Sequence, residues 1–351
     1  MVDDFLDSAI SAVNLIAVRR IRSKGLWGEV YGSLAYQSVS YAEEVLDYQL
    51  AYQQGHGGSW QDISLIIYGD KKPIALWPLS FSIKEGRSML SSQGLPVLPP
   101  VFVENFPPIS RKRIIKACQN LANAIAVNAK LDFWESRESF EASLGLSDWH
   151  TEAMVRNAVC RLRHELYIDL RQELVEIKKN FRKSYKSLVV SGLRLWTVGV
   201  LDSICDNIWE DFKRLHLQVS GRVTRSDETW AIQHQHIKAK RAFLVWLKDS
   251  YGKMVGGGFF NYTNMEGAYA VGAYDRSLFD KPLGHVVQYR AIEELKKRNV
   301  RWYKIGDRPY TSDVPTPTAK EISIGEFKNG FAMHVFPQYF LTHEVADEAI
   351  G

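Results

Sequence analysis

The sequence predicts an α+β fold built as two similar units in tandem. Stretches with apolar residues at helical spacing alternate along the chain with short runs of β-branched and aromatic residues. The second half repeats the order of the first: helix, hairpin, helix, strand. Hydrophobic residues make up 46% and charged residues 24% of 351 positions, the profile of a folded chain long enough for two cores. The division is expected near residue 155, giving units 1–155 and 156–351.

In the first half, "SYAEEVLDYQLAYQ" carries acidic and apolar residues at helical spacing. Two apolar runs, "ISLIIY" and "IALWPLSFS", are joined by Gly-Asp-Lys-Lys and read as a hairpin. The proline-rich "GLPVLPPVFVENFPP" is too rigid for helix and reads as a loop or edge. An amphipathic helix, "SRKRIIKACQNLANAIAVNAK", follows with Ser110 as its expected cap. "LDFWES" and "AVCRLRHELYIDL" read as strands.

In the second half, "RQELVEIKKNFRKSYKSLVVSG" reads as one basic helix, "LRLWTVG" as a strand and "LDSICDNIWEDFKRLHLQVSG" as another helix. The run from Arg241 to Asp275 is a strand meander with turns at Tyr-Gly-Lys and Asn-Met-Glu-Gly. "LGHVVQYRAIEELKKRN" is a strong helix, "VRWYKIGD" a strand, and "EISIG" a further short strand behind Lys320.

Lys plus Arg number 44 against 40 acidic residues. A formal charge of +4 is too small for a nucleic-acid binder, which concentrates basic residues on one face. Cys118, Cys160 and Cys205 stand alone without metal-ligand spacing, so neither a disulfide framework nor a metal site is expected. Cys160 and Cys205 lie in apolar contexts and are expected in the core. His234 and His236 are two residues apart, on different faces of a helix, which argues against a shared metal. The N-terminal stretch lacks the basic start and cleavage pattern of a signal peptide, and no run approaches a membrane span. A cytoplasmic protein is expected.

The stretch from Ala268 to Asp307 carries the chemistry. Gly272 and Ala273 are small enough for a ligand backbone to lie against a strand edge. The loop "DRSLFDKP" leads into a helix whose first turn holds Pro282, Leu283 and Gly284. Amides there and the positive end of the helix dipole form an anion site. With Arg276 and Lys281 close by, a pyrophosphate is the expected occupant. The same pattern also reads as a packing unit with a basic loop.

Strand, loop, helix, strand in that order resembles the coenzyme A-binding core of the GNAT N-acyltransferases. Their usual Gln/Arg-x-x-Gly-x-Gly/Ala loop is absent, and "DKPLGH" keeps only Gly284. Three stretches bring the resemblance closer to the FemAB-like branch, in which two GNAT-like domains are fused. They are "ELYIDLRQELVEIKKNFRKSYKSLVVSG", "FKRLHLQVSGRVTRSDETW" and "RWYKIGDRPYTSDVPTPTAKEISIGEFKNGF", the last ending in a Phe-Lys-x-Gly-Phe signature. The resemblance implies two tandem GNAT-like domains, each a mixed, mostly antiparallel sheet flanked by helices, with the acyl-donor site in the second.

It also implies transfer of an acyl group to an amine. Some relatives use aminoacyl-tRNA and carry a long helical-hairpin insertion, for which this sequence shows no pattern. The leading expectation is therefore an acyl-CoA donor and a dTDP- or UDP-linked amino sugar acceptor, as in surface polysaccharide (O-antigen) synthesis. The alternatives are a FemX-type aminoacyl-tRNA-dependent ligase acting on a cell-wall precursor and a non-catalytic protein that binds acyl-CoA or nucleotide sugars.

On that reading "GRVTRSDETW" gains a role: Arg222 and Arg225, with Thr224, suit a diphosphate, and Trp230 stacks on a base or sugar. The segment also reads as a polar helix start with Ser226 as cap. Arg182, Lys183 and Lys186 are a solvated basic face from which Arg182 reaches the acceptor phosphate. Lys320 contributes to a phosphate site. Direct attack of an amine on a thioester needs a base, oxyanion donors and an acid for the leaving thiolate. Asp275, His285 and Asp307 are the base candidates. Lys328 matches a lysine that the family resemblance puts near the reacting carbonyl, and Tyr274 matches a phenol that serves the thiolate. Asp275 also reads as a turn-forming carboxylate and Asp307 as a partner for Arg308.

Overall fold

The computed structural model describes residues 2–23, 25–138 and 146–345. The chain forms two compact units, Met1–Arg163 with Pro337–Gly351, and His164–Phe336. The boundary thus follows Arg163 rather than residue 155, and the C-terminal residues belong to the first unit. A single strand, Val159–Asp169, runs through the observed boundary and leaves no break in composition to mark it.

The first unit contains α1 (Val2–Ala12), β1 (Ala17–Arg19), α2 (Leu26–Gly32), α3 (Glu43–Gly55), β2 (Ser59–Asp62), β3 (Leu65–Gly69), β4 (Lys72–Trp77), β5 (Ser80–Lys84), β6 (Arg87–Ser91), β7 (Val101–Phe102), α4 (Pro108–Asn128), β8 (Phe133–Glu138) and α5 (Asp148–Val155). The expected hairpin is β3 and β4, turned by Asp70 and Lys71, both at positive φ. "IALWPLSFS" is not one strand. Pro78 lacks the amide a ladder needs, so the run divides into β4 of one sheet, ordered β1-β3-β4-β7, and β5 of another, ordered β2-β5-β6. Helix α4 starts at Pro108 behind Pro107, not at Ser110, because proline suits the first helical position. Trp77, Trp149, Leu121 and Ile67 lie in the unit's main core.

The second unit contains most of β9 (Val159–Asp169), then α6 (Leu174–Asn180), α7 (Lys183–Leu195), β10 (Thr197–Leu201), α8 (Asp206–Ser220), α9 (Asp227–Lys238), β11 (Ala242–Lys248), β12 (Met254–Tyr262), β13 (Glu266–Tyr274), α10 (Leu283–Lys297), β14 (Trp302–Asp307), α11 (Ala319–Asn329) and the start of β15 (His334–Glu344). Its strands run in the order β10-β11-β12-β13-β14-β9. Each pair is antiparallel except β13 with β14, which is parallel. Alternation along the strands builds two cores. Phe260, Val245 and Tyr303 pack with α7 and α10 on one face. Phe259, Leu244 and Val271 pack with Trp209 and Phe212 of α8 and Trp230 of α9 on the other.

Several expectations in this unit change, among them the strand read from "LRLWTVG", whose first three residues close α7 while β10 begins at Thr197. The basic stretch is two helices, because Phe181 and Arg182 adopt extended ψ angles of 143° and 135°. Phe181 thereby turns into the core against Phe331, ring centroids 5.1 Å apart. "EISIG" is helical, inside α11. Thr318 and Glu321 form a reciprocal capping box, and that start signal outweighs a five-residue alternation. Cys160 and Cys205 are exposed, and only Cys118 is buried.

Candidate functional site

The parallel pairing of β13 with β14 is short. Glu266, Gly267 and Ala268 pair with Trp302, Tyr303 and Lys304, and beyond that point the strands have no further register with each other. Both keep their outer partners: β13 stays on β12 as far as Tyr274, and β14 stays on β9 as far as Asp307. Each carries an irregularity where the strands part, between Tyr269 and Val271 on one side and between Lys304 and Gly306 on the other. Bulges bend the strands that hold them, so two bends open a wedge-shaped gap in the sheet. The edge of β13 from Tyr269 to Tyr274 then presents backbone groups to whatever occupies the gap.

Several predicted residues gather around this opening. Lys328, in the last turn of α11, sets its Nζ 5.7 Å from the centroid of Tyr269. Its ammonium fills the place a Cβ on Gly306 would take. Gly306 has φ of 134°, a conformation open to glycine. Burial lowers the Lys328 pKa below the usual lysine range, and the charge of Asp307 partly offsets this. Tyr274 shares a hydrogen bond of 3.0 Å with Tyr269. Burial raises both phenols, Tyr269 to about 12, and so keeps them protonated. Gly272 makes this pair possible, since its missing Cβ leaves room for the Tyr269 hydroxyl. Ala273 points the other way, into the α8 core.

Asp275 and His285 are placed for other tasks. Asp275 caps the turn after β13, accepting from the Ser277 amide at 3.0 Å and hydroxyl at 2.7 Å, with Lys253 at 3.4 Å. The Ser277 bonds lead in holding its carboxyl below the usual range. It is a turn former, not a base tuned for neutral pH. His285 lies among aromatic rings, 4.5 Å from Tyr185 and 5.1 Å from Phe327 between centroids. Burial, with a smaller contribution from the charge of Arg182, lowers its pKa to about 4, too low to accept a proton from an ammonium group.

Helix α10 begins beside the open end of the gap. Leu283 buries its side chain in the core and offers only its backbone. Phe327 covers Gly284, where a Cβ would lie 2.9 Å from the ring. Gly284 therefore serves packing as well as backbone approach. Arg276 is exposed on the preceding turn. Lys281 is exposed and pairs with its neighbour Asp280, at 2.9 Å, a surface contact that costs little to exchange.

The segment Gly221–Trp230 lies on the other face of the sheet. Arg222, Thr224, Arg225 and Trp230 line a recess of about 270 Å³ with His216 and Lys213. The guanidinium of Arg225 lies 5.1 Å above the Trp230 ring and donates to Gln233 at 3.0 Å. Ser226 does cap α9, accepting from the Thr229 amide. Thr224 Oγ1 is buried and has no hydrogen-bond partner among the described residues. Burial, then the charge of Arg225, lowers the His216 pKa to about 4.

Arg182 and Lys320 do not join either group. Arg182 donates to the Glu326 carbonyl at 3.2 Å and lies 5.2 Å over the Tyr185 ring, bracing α11 rather than facing a ligand. Lys320 is exposed in the first turn of α11.

Sequence reasoning missed Tyr269, Gly306, Gln288 and the ion pair of half-buried Lys304 with buried Glu165. The Tyr167 hydroxyl also donates to Glu165, at 3.2 Å. The signal for Tyr269 was "AYAVGAY", where two tyrosines flank a glycine across a bulge. Among the described residues no group of three or more His, Cys, Asp or Glu is arranged to hold a metal. No helix there is long and apolar enough to cross a membrane.

No family model and no curated protein sequence matches this chain. Solved structures do. FemX matches with a TM-score of 0.64 at 13% identity, over 91% of this chain and 95% of that one. The C-terminal domain of a putative lysylphosphatidylglycerol synthetase from Agrobacterium fabrum matches at 0.56 and 13% identity, over 88% and 94%. L-PGS from Bacillus licheniformis matches at 0.52 and 14%, over 86% and 91%. The fold is thus the tandem α+β arrangement that the sequence motifs anticipated.

Proposed function

We propose that this protein is an N-acyltransferase that moves an acyl group from coenzyme A to the amine of a nucleotide-linked amino sugar. The observation that carries the reading is the gap between β13 and β14, with Lys328, Tyr269 and Tyr274 at its walls. An extended thioester arm fits a strand edge with free backbone groups, and the start of α10 with Arg276 and Lys281 suits its pyrophosphate. The recess around Arg222, Arg225 and Trp230 suits a nucleotide diphosphate. The two lie on opposite faces of one sheet, and on this reading donor and acceptor meet where β13 and β14 part.

In this mechanism the neutral amine attacks the thioester carbon, forming the C–N bond. The Lys328 ammonium faces the carbonyl oxygen and stabilises the charge that develops there. Collapse breaks the C–S bond, and the Tyr274–Tyr269 pair gives the departing thiolate a proton that solvent later restores. Asp307, exposed at the end of β14, passes the proton lost by the amine to water. No covalent intermediate on the protein is needed.

A FemX-type aminoacyl transfer is the second reading, supported by the likeness to FemX. The deciding experiment incubates purified protein with a panel of dTDP- and UDP-amino sugars and either acyl-CoA thioesters or charged tRNA as donor, and follows products by mass spectrometry. N-acylated nucleotide sugar supports the proposal. Product only with charged tRNA overturns its donor assignment, and tight binding without product leaves a binding protein.

A further inference from the structure

Helix α10 presents an almost wholly apolar face to the sheet: Leu283, Val286, Val287, Ala291, Ile292 and Leu295 all lie in one core. Gln288 breaks that face with a side chain 0% exposed. The Tyr303 hydroxyl donates to its Oε1, and its Nε2 has no hydrogen-bond partner among the described residues. Turning the amide over exchanges the two atoms and leaves Oε1 unpaired instead. Either way one strong polar atom is left unsatisfied in an apolar core, where almost every such atom finds a partner.

The position of this amide identifies what it meets. Tyr303 pairs in register with Gly267, just before the strands part beyond Ala268 and Lys304. Phe260 links Tyr303 to Tyr269, with ring centroids 6.1 and 5.2 Å away. Gln288 therefore stands at the closed end of the gap. It is five residues along α10 from Leu283, about 7.5 Å deeper than the helix start. A carrier whose phosphates rest at the helix start sends its acyl group toward this end.

We infer that the acyl group carries a polar substituent, a hydroxyl on a short chain, which completes the hydrogen bonding of Gln288. A hydroxyl both donates and accepts, so it matches either orientation of the amide. A plain alkanoyl chain leaves the amide unsatisfied, and sites built around a hydrogen bond discriminate strongly against analogues that lack it. The inference rests on the donor reading above.

Calorimetric titration of the whole protein with coenzyme A, butanoyl-CoA and 3-hydroxybutanoyl-CoA tests it without an acceptor. The hydroxylated thioester is expected to bind about tenfold more tightly than butanoyl-CoA. Gln288→Leu is expected to lose that preference and keep its affinity for coenzyme A, while unfolding in urea somewhat earlier because the buried Tyr303 hydroxyl loses its acceptor. Equal binding of the two thioesters by the natural protein overturns the inference and leaves the donor reading standing. Preference retained in Gln288→Leu also overturns it. Failure of coenzyme A and both thioesters to bind overturns the donor reading, and the inference with it.

Discussion

The ammonium of Lys328 occupies the space that Gly306 leaves by having no side chain, 5.7 Å from the ring centroid of Tyr269. Three elements, α11, β14 and β13, thus converge on one buried cation. Burial disfavours its charge, while the aromatic face and Asp307 favour it.

Replacing Lys328 by Met is expected to lower kcat at least about a hundredfold, the scale for loss of one oxyanion donor, with coenzyme A affinity changed little. In the proposed mechanism the charged form is the active one, so activity is expected to fall as pH rises through the lowered Lys328 pKa, below the ordinary lysine range of about 10.4. Steady-state kinetics across alkaline pH checks this. A rate that climbs through the same range makes Lys328 a base instead.

Gly306→Ala meets two obstacles, a backbone φ of 134° and the lysine already in the vacant space. It is expected to cost about 1–3 kcal/mol of stability and to reduce activity by displacing Lys328. Gly272→Ala evicts the Tyr269 hydroxyl from its bond with Tyr274 and is expected to slow turnover. Urea unfolding and kcat measured together separate the two effects.

How far the sequence revealed this arrangement depended on how local each signal was. The Asp-Lys turn between β3 and β4, the helix opening at Leu283 and the Ser226 cap were all legible, because each depends on a few adjacent residues. Phe-Lys-x-Gly-Phe pointed to Lys328, which lies beside Gly306 and Tyr269, and the role proposed for it comes from the resemblance. What the sequence hid was set by distant pairing. No local pattern indicates that β13 and β14 part after three residue pairs, and that parting makes Tyr269 and Gln288 neighbours of the site. His285 was misjudged because its aromatic neighbours, Tyr185 and Phe327, come from other helices. "EISIG" was misjudged because its alternation is too short to outweigh a capping box.

Arg222 is exposed and lines the recess beside α9. Arg222→Ala is expected to raise KM for the nucleotide-linked acceptor about tenfold, as for loss of a charged hydrogen bond, while kcat and coenzyme A affinity hold. Arg225→Ala does the same and also destabilises the fold, since Arg225 packs on Trp230 and bonds Gln233. Initial rates against acceptor concentration, with thermal melts of both variants, check the distinction.

His216, His285 and His343 all have pKa values lowered to about 4, chiefly by burial. Unfolding returns each to about 6.5, so below that pH the unfolded chain binds more protons. Stability that is fully present above pH 6.5 is therefore lost as pH falls toward 4. Thermal melts from pH 7.5 to 4.5 should show Tm falling over that window. His285→Phe is expected to flatten part of the slope.

At the start of α11, the Glu321 amide donates to Thr318 Oγ1 at 3.2 Å and the Thr318 amide donates to Glu321 at 2.7 Å. Thr318→Ala is expected to cost about 1 kcal/mol. Because α11 carries Lys328, the loss should loosen the site as well, read as a lower kcat alongside an earlier urea midpoint.

In a crystal structure of the protein with coenzyme A bound, the thiol is expected between Tyr274 and Lys328, the pantetheine arm along β13 and the pyrophosphate at the start of α10. Coenzyme A lodged elsewhere, with the gap between β13 and β14 closed to it, would overturn the donor site.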